Sequence, residues 1–188
     1  MRVLDLASGT GDLARLAAQR LVPMGQVVAC DLSHPMLIGA REKLSRHPAT
    51  RWHVKFSQAR SESLPFLAES FDTAAIGFAL RNVSDLEGTF RELFRVLKPG
   101  GRICLLEFGR PDSLFLKIGH RLWLFFAVPL IGILTTGKVW PFLYLRGSIL
   151  QFLPPQEVIT RLEKAGFKQT QACALHGGIV NLYRATKA

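Results

Sequence analysis

The chain has 188 residues, a length that fits one domain with a substantial buried core. Hydrophobic residues make up 48% and charged residues 20% of the sequence, which excludes a disordered protein. The formal net charge of +10 indicates an anionic partner, either nucleic acid or a membrane surface.

The first stretch of the chain predicts a buried strand, a tight glycine turn and the start of a helix. Val3 to Leu6 form the apolar, partly branched run that is typical of a strand in a parallel sheet. Gly9 and Gly11 permit positive φ and let a ligand approach the backbone closely. Apolar residues then recur at helical spacing from Asp12 to Leu21. A strand, glycine turn and helix in this order indicate a nucleotide-type site of an α/β fold.

Three acidic residues, Asp5, Asp12 and Asp31, narrow the choice of ligand. Asp5 ends the first strand and Asp12 opens the helix, where carboxylates would repel a pyrophosphate. Asp31 ends the second predicted strand, Gln26–Asp31, so it shares a sheet rim with Asp5. The pair therefore favours S-adenosylmethionine, whose ammonium group suits Asp5 and whose ribose diol suits Asp31. An NAD-dependent oxidoreductase stays an alternative, because Gly9-x-Gly11-x-x-Ala14 also fits the dinucleotide fingerprint.

The middle of the chain alternates helices and strands. Ser33 is a candidate cap for the second helix, and Asp85 precedes a further helix that we expect to stop at Lys98-Pro99-Gly100-Gly101. The third, fourth and fifth strands are predicted at Trp52–Phe56, Phe71–Phe78 and Arg102–Phe108. This alternation predicts a doubly wound α/β sheet.

The alternation ends at Pro111, and the next segment is apolar and basic. From Ser113 to Ser148 there is no Asp or Glu, and the basic residues are Lys117, Arg121, Lys138 and Arg146. The apolar run Leu122 to Leu134 contains a proline and is shorter than the ~20 residues of a bilayer span. Two compatible interpretations are a helical cap on the sheet and a lid that admits an apolar substrate and contacts an anionic membrane. The segment is too apolar for a nucleic-acid platform, so no nucleic-acid partner is expected.

The end of the chain predicts an antiparallel hairpin. A helix opens at Pro154, and the last two strands are predicted at Gln169–Leu175 and Ile179–Thr186. His176-Gly177-Gly178 is a short glycine connection, which implies antiparallel pairing. A parallel sheet that ends in such a hairpin is the arrangement of the Class I methyltransferase fold.

Cysteine and histidine positions predict neither a disulfide nor a metal site. The cysteines fall in apolar, strand-like runs without a Cys-x-x-Cys pair, and we interpret them as buried thiols in a reducing compartment: Cys30, Cys104 and Cys173. The histidines show no ligand spacing, so no metal is expected.

Several motifs together carry a resemblance to one family. They are Val3–Asp12, Asp31–Leu37, Glu62–Phe66, Gly77–Val83, Arg95–Arg102, Glu107–Pro111, Tyr144–Ile149 and Gly178–Val180. The chain resembles the ubiquinone/menaquinone biosynthesis C-methyltransferases (UbiE/MenG type) over nearly its whole length. Phe78-x-Leu80-Arg81-Asn82 and the Tyr144 motif indicate the quinone family in particular, whereas the glycine turn occurs in many methyltransferases. The resemblance implies one domain, a Rossmann-like, mostly parallel seven-stranded sheet, and residues 113–148 as a lid inserted after the fifth strand.

The resemblance also implies a reaction and a set of site residues. The reaction is methyl transfer from S-adenosyl-L-methionine to a ring carbon of a polyprenylated quinol, either a demethylmenaquinol or a polyprenyl-benzoquinol. The implied cofactor contacts are Asp5, Ala7, Gly9, Thr10, Gly11, Asp31, Leu32, Met36, Arg60, Ser61 and Gly77. Arg81 is implied to stabilise a phenolate, and Asn82 to hold a water or the ring hydroxyl. Alternatively, Arg81 is a structural ion-pair partner and Asn82 a turn residue. Glu107 either touches the substrate or pairs with an arginine.

Three departures from the family pattern keep alternatives open. Family members usually carry Asn or Asp, then Ala, at Arg60-Ser61, and a small hydroxyl residue is common at Gly77. The family also has a helical N-terminal extension, whereas Met1 here nearly adjoins the first strand. The alternatives are another lipid or small-molecule methyltransferase, and a truncated, non-catalytic membrane-associated protein that binds S-adenosylmethionine. We expect a cytoplasmic protein on the inner face of the membrane, with a homo-oligomer left open.

Overall fold

The computed structural model describes residues 1–21, 24–47, 53–111, 113–137 and 140–188. Within them lies one seven-stranded sheet. Its strands are β1 (Arg2–Leu6), β2 (Gln26–Asp31), β3 (Val54–Gln58), β4 (Phe71–Gly77), β5 (Leu97–Phe108), β6 (Phe167–Leu175) and β7 (Val180–Lys187). The helices are α1 (Asp12–Leu21), α2 (His34–Ser45), α3 (Leu86–Val96), α4 (Leu114–Leu122), α5 (Val128–Thr136), α6 (Trp140–Gln151) and α7 (Pro155–Lys164).

The strand order is β3-β2-β1-β4-β5-β7-β6. The first five strands pair in parallel, with β1 between β2 and β4. β7 lies between β5 and β6 and is antiparallel to both of them. The predicted fold, a mostly parallel sheet with an antiparallel C-terminal hairpin, is therefore confirmed.

Helices cover both faces of the sheet because successive strand residues point to opposite sides. From β1, Leu4 packs in a core cluster with Phe90 of α3 and Leu162 of α7. Its neighbour Val3 packs in a second cluster that includes Ala14 of α1 and Ala40 of α2. This two-sided packing leaves the carboxyl ends of the parallel strands as the open edge where a ligand can bind.

Two local predictions differ from the structure in their boundaries. The third strand begins at Val54, and His53 precedes it; the predicted first residue, Trp52, lies outside the described residues. The stretch Lys98–Gly101 was expected to be only a helix stop, yet it belongs to β5, whose Leu97 already pairs with Phe71. A register shift between Phe71 and Thr73 accommodates the extra residues of this strand.

The two predicted capping residues behave differently. The carboxylate of Asp85 accepts a hydrogen bond from the backbone N–H of Gly88 at 2.8 Å and so caps α3. Ser33 stands at the start of α2, but its side chain makes no capping hydrogen bond. Its backbone N–H instead donates to Asp31, which belongs to the site described below.

The three thiols differ in exposure, so the prediction that all are buried is wrong. Cys30 is buried in β2, and desolvation is the main cause that raises its pKa to about 12. Cys104 is half-buried, and Cys173 is exposed. Cys173 lies on β6 at the edge of the sheet, where most residues of the strand face solvent.

The described parts of the lid segment, residues 113–137 and 140–148, form helices beside the open edge of the sheet. The segment contains α4, a π-helical turn at Trp123–Ala127, α5 and most of α6. Many of its large apolar side chains are exposed, among them Phe115, Trp123, Phe126 and Trp140. Across the described parts of the chain, no helix is both long and apolar enough to cross a bilayer.

Candidate active site

A cleft of about 710 Å³ lies at the carboxyl ends of β1, β2 and β4. Its lining includes most of the predicted cofactor residues, namely Asp5, Ala7, Gly9, Asp31, Leu32, Met36, Arg60, Ser61 and Gly77. Asn82 lines the same cleft, whereas Arg81 lines a second cavity next to it. Thr10 and Gly11 are absent from the lining of either cavity.

The glycine turn shapes the floor of the cleft. Ala7 and Gly9 both have positive φ, at 55° and 52°, and an added Cβ on Gly9 would meet no atom within 4 Å. Gly11 has a packing role in the turn. A Cβ there would lie 3.0 Å from Leu44 Cδ1 and 3.1 Å from Ala40 Cβ, so its absence allows α2 to pack closely against the turn. The hydroxyl of Thr10 donates to Asp12 at 3.3 Å.

Asp31 joins the turn to the end of β2. Its Oδ2 accepts a hydrogen bond from the backbone N–H of Gly9 at 2.7 Å, and its Oδ1 accepts one from Ser33 at 2.8 Å. Each oxygen of an ionised carboxylate keeps further acceptor capacity. Asp31 is therefore held in one orientation at the cleft and can still accept hydrogen bonds from a ribose diol.

Asp5 is a buried carboxylate that lines the cleft with one oxygen unpartnered. The residue is 1% exposed, and its Oδ2 makes no hydrogen bond. Desolvation is the main cause that raises its pKa to about 7; the charge of Asp31 adds to it, and a backbone hydrogen bond from Ala14 opposes it. An ammonium group placed beside this carboxylate would favour its ionised form. The Asp5 carboxylate therefore fits the ammonium group at the amino-acid end of S-adenosylmethionine.

Arg60, which departs from the family pattern, is paired with a neighbouring carboxylate. The guanidinium forms an ion pair with Glu62 at 2.7 Å, and the Arg60 side chain is 62% exposed. Glu62 also accepts a hydrogen bond from the hydroxyl of Ser61 at 3.1 Å. That hydroxyl in turn accepts one from Thr89 at 2.8 Å, so this wall of the cleft is tied to α3.

Arg81 forms an ion pair with Glu107. For each of these residues, an ion pair is one of the two alternatives that the sequence left open. Arg81 NH1 lies 2.7 Å from Glu107 Oε1, and their side chains are 10% and 0% exposed. The same nitrogen donates to the carbonyl of Phe78, and the guanidinium lies 5.2 Å from the centre of the Phe108 ring. Glu107 also accepts the backbone N–H groups of Arg81 and Phe108. These contacts fix the 3₁₀ turn Leu80–Asn82 against the end of β5.

Two residues of the site escaped the sequence reasoning as functional groups. Phe78 lines the cleft with φ of 56°, an uncommon conformation for a bulky residue, and packs on Phe108 at 4.6 Å between ring centres. Tyr144 of α6 donates its hydroxyl to Asn82 Oδ1 at 3.1 Å. Both residues belong to family motifs, Gly77–Val83 and Tyr144–Ile149, and this membership was the only sign in the sequence that they could be functional. Their side-chain partners are set by tertiary packing.

The strand order, the glycine turn and the paired carboxylates define a Class I methyltransferase that uses S-adenosyl-L-methionine. A family model described as the ubiE/COQ5 methyltransferase family matches residues 1–187. The chain belongs to this family.

Individual relatives agree with the family match. The chain is 40% identical over 187 residues to "Ubiquinone/menaquinone biosynthesis C-methyltransferase UbiE" of Pseudomonas paraeruginosa, covering 99% of this chain and 72% of that protein. It is 41% identical to the protein of the same name from Edwardsiella ictaluri, covering 99% and 74%. Among solved structures, a SAM-dependent methyltransferase from Aquifex aeolicus superposes with a TM-score of 0.74 at 18% identity, covering 100% and 82%. This last likeness supports the fold alone.

Proposed function

We propose that this protein methylates a ring carbon of a polyprenylated quinol in ubiquinone or menaquinone biosynthesis. The observation that carries the proposal is the relatedness, along nearly the whole chain, to enzymes named for this reaction. When bound, S-adenosylmethionine supplies a sulfonium methyl group; a carbon–carbon bond forms to the ring, the carbon–sulfur bond breaks to leave S-adenosylhomocysteine, and the ring carbon loses its proton.

The chain's own residues hold the reactants. Asp5 would pair with the ammonium of the amino-acid end, and Asp31 would accept hydrogen bonds from the ribose hydroxyls. The backbone at Gly9 leaves room for close approach. Orientation of this kind is itself a large contribution to rate, because it replaces a bimolecular encounter with a fixed geometry.

Arg81 and Asn82 act on the quinol oxygen. Ionisation of a ring hydroxyl pushes electron density onto the attacking carbon, and the Arg81 guanidinium lowers the energy of the resulting phenolate. Asn82 lines the cleft and holds the ring hydroxyl or a water. Water accepts the hydroxyl proton when the oxygen ionises and the ring-carbon proton after the methyl group has been transferred. The Glu107 ion pair keeps Arg81 in place during the reaction.

The first test combines cofactor binding with turnover. The purified chain is titrated calorimetrically with S-adenosylmethionine and, separately, with NADH, and is then incubated with a short-tailed quinol whose methylated product is detected by mass spectrometry. We expect binding of S-adenosylmethionine alone and formation of the methylated quinol. Asp31→Ala is the control that should lose both. Binding without quinol methylation would favour a different lipid or small-molecule substrate.

The lid segment supports a second part of the proposal, contact with an anionic membrane surface. Phe115 and Phe126 are 84% and 70% exposed, and the segment carries basic but no acidic residues. The Arg146 guanidinium lies 4.3 Å from the centre of the Phe125 ring, so charge and aromatic surface occur together. Exposed aromatic groups beside cations suit the headgroup region of a bilayer containing anionic lipid. A long isoprenoid tail also requires delivery from lipid rather than from water.

Vesicle sedimentation tests this contact. We expect the chain to pellet with vesicles containing phosphatidylglycerol and much less with pure phosphatidylcholine, with added salt weakening the binding. The double variant Phe115→Ser/Phe126→Ser should stay in the supernatant. Leu67→Ser is the matched control, because Leu67 is 83% exposed but lies outside the lid. Equal binding of the double variant and the control would contradict the contact.

A further inference from the structure

A second cavity of about 430 Å³ lies between the 3₁₀ turn Leu80–Asn82 and the C-terminal part of α6. Its volume falls within the range of small-molecule sites. Apolar side chains line part of it, including Leu80, Leu86 and Phe152, and polar groups are contributed by Arg81, Tyr144 and Gln151. Such a lining suits a ligand with apolar ring faces and oxygen atoms at its edge.

Arg81 lines this cavity, and its buried guanidinium has one donor without a partner. Its side chain is 10% exposed, and its Nε has no hydrogen-bond partner, although NH1 is engaged by Glu107. A buried donor without a partner is costly, so an oxygen that accepts from it would gain free energy. A phenolic oxygen is such an acceptor, and it binds more strongly as its negative charge grows.

Tyr144 and Asn82 mark where the second cavity meets the cofactor cleft. Tyr144 lines the second cavity, Asn82 lines the cleft, and the hydrogen bond between them spans 3.1 Å. Val83 lines both cavities. A ring seated in the second cavity would therefore present one edge toward the cleft from which the methyl group comes.

We infer that the second cavity binds the quinol ring and that Tyr144 is a further substrate-binding residue, whose hydroxyl donates to a ring oxygen. The inference rests on the proposed function. In the structure this hydroxyl donates to Asn82 Oδ1; we expect it to donate to the ring oxygen of a bound quinol, so that one hydrogen bond replaces another. The bond strengthens as the ring oxygen becomes phenolate, which assists the reaction as well as binding.

Tyr144→Phe tests the inference because it removes only the hydroxyl. With a short-tailed quinol we expect KM to rise about tenfold, the size of one lost hydrogen bond to an oxygen that develops charge, and kcat to fall several-fold. The Kd of S-adenosylmethionine should stay within about twofold, since Tyr144 does not line the cofactor cleft. Trp140→Phe is the matched control: Trp140 lies in the same helix, is 80% exposed and lines neither cavity.

The relative affinities of a set of phenol inhibitors give a second measurement, which would not change if Tyr144 had a purely structural role. The wild-type chain should bind a competitive inhibitor that keeps the contacted hydroxyl about tenfold more tightly than one that lacks it. Tyr144→Phe should lose this discrimination, while Trp140→Phe should keep it. Unchanged KM and discrimination in Tyr144→Phe, or equal losses in both variants, would overturn the inference. Absence of quinol methylation by the wild-type chain would instead refute the proposed function.

Discussion

The guanidinium of Arg81 donates to the fully buried carboxylate of Glu107 across 2.7 Å, joining the end of β5 to the turn that carries Asn82. Removing one partner of a buried ion pair leaves an uncompensated charge and typically costs about 3–5 kcal/mol. We therefore expect Arg81→Ala to lower the free energy of unfolding by about this amount, as measured by urea denaturation. Turnover should fall with it.

A double variant separates the structural and chemical effects of Arg81. Arg81→Met/Glu107→Gln removes both charges and preserves most of the volume, so we expect most of the lost stability to return. Methylation should not return, because the cation that faces the phenolate is still absent. A folded double variant with wild-type kcat would show that Arg81 acts only as a structural partner.

The buried Asp5 makes stability depend on pH. Its pKa is raised from 3.8 to about 7 in the folded chain, so between these values the unfolded chain has released a proton that the folded chain retains. The stability associated with this group is fully present below the unfolded pKa and is lost as pH rises through about 7. Relative to Asp5→Asn, the wild-type free energy of unfolding should fall across this window and become flat above it. A difference in unfolding free energy between wild type and Asp5→Asn that does not change with pH would contradict the raised pKa of Asp5.

Cofactor affinity should depend on pH in the opposite sense. The ammonium of S-adenosylmethionine favours ionised Asp5, so binding must expel a proton when the pH lies below about 7. We expect the calorimetric Kd to weaken as the pH drops below this value and to level off above it. Asp5→Asn should bind weakly at every pH. Matching pH profiles for variant and wild type would place the ammonium elsewhere.

Alanine substitutions at two glycines, Gly11 and Gly39, test the close packing of α2 against the glycine turn. Gly11→Ala requires a left-handed backbone, with φ of 78°, and brings Cβ within 3.0 Å of Leu44. We expect a loss of about 1–3 kcal/mol in denaturant unfolding. Gly39→Ala lies within α2, where the added Cβ meets nothing within 4 Å, and should be neutral or stabilising by about 0.5–1 kcal/mol. Equal effects at the two positions would refute this account.

Arg60 should matter little for cofactor affinity. Its guanidinium is exposed and engaged by Glu62, so Arg60→Ala is expected to change the Kd of S-adenosylmethionine by less than about twofold. Glu62 lines the cleft and holds Ser61, so Glu62→Ala should weaken binding more. A large loss in Arg60→Ala would mean that the arginine contacts the adenine directly.

The carboxylates of the cleft could be predicted from the sequence because each lies near the carboxyl end of a recognisable strand. Asp5 and Asp31 stand at successive strand ends, and parallel topology alone brings such ends to one rim. Gly11 shows the limit of this reasoning. Its place in the motif predicted a cofactor contact, and that stays a prediction; nothing in the sequence indicated its close packing against Ala40 and Leu44, which depends on how α2 docks.

The polar contacts of Arg81 and Asn82 could not be predicted from the sequence because their partners lie far away along the chain. Arg81 and Glu107 are 26 positions apart, and the sequence left both an ion pair and substrate contact open for each. Tyr144 lies 62 positions from Asn82, on a lid helix whose placement no periodicity specifies. Cys173 was misjudged for a related reason: an apolar local pattern does not reveal that a strand lies at the sheet edge.

The position of β7 between β5 and β6 has a consequence for how the protein is made. β6 emerges from the ribosome before β7, yet its neighbour in the sheet is β7 rather than β5. During translation the cofactor half, built from β1 to β5, can assemble first, while the outer edge of β5 stays open and β6 has no strand to pair with. Until β7 is released, both unpaired edges are available for wrong pairing with other chains, so this interval is when a chaperone would protect the protein most.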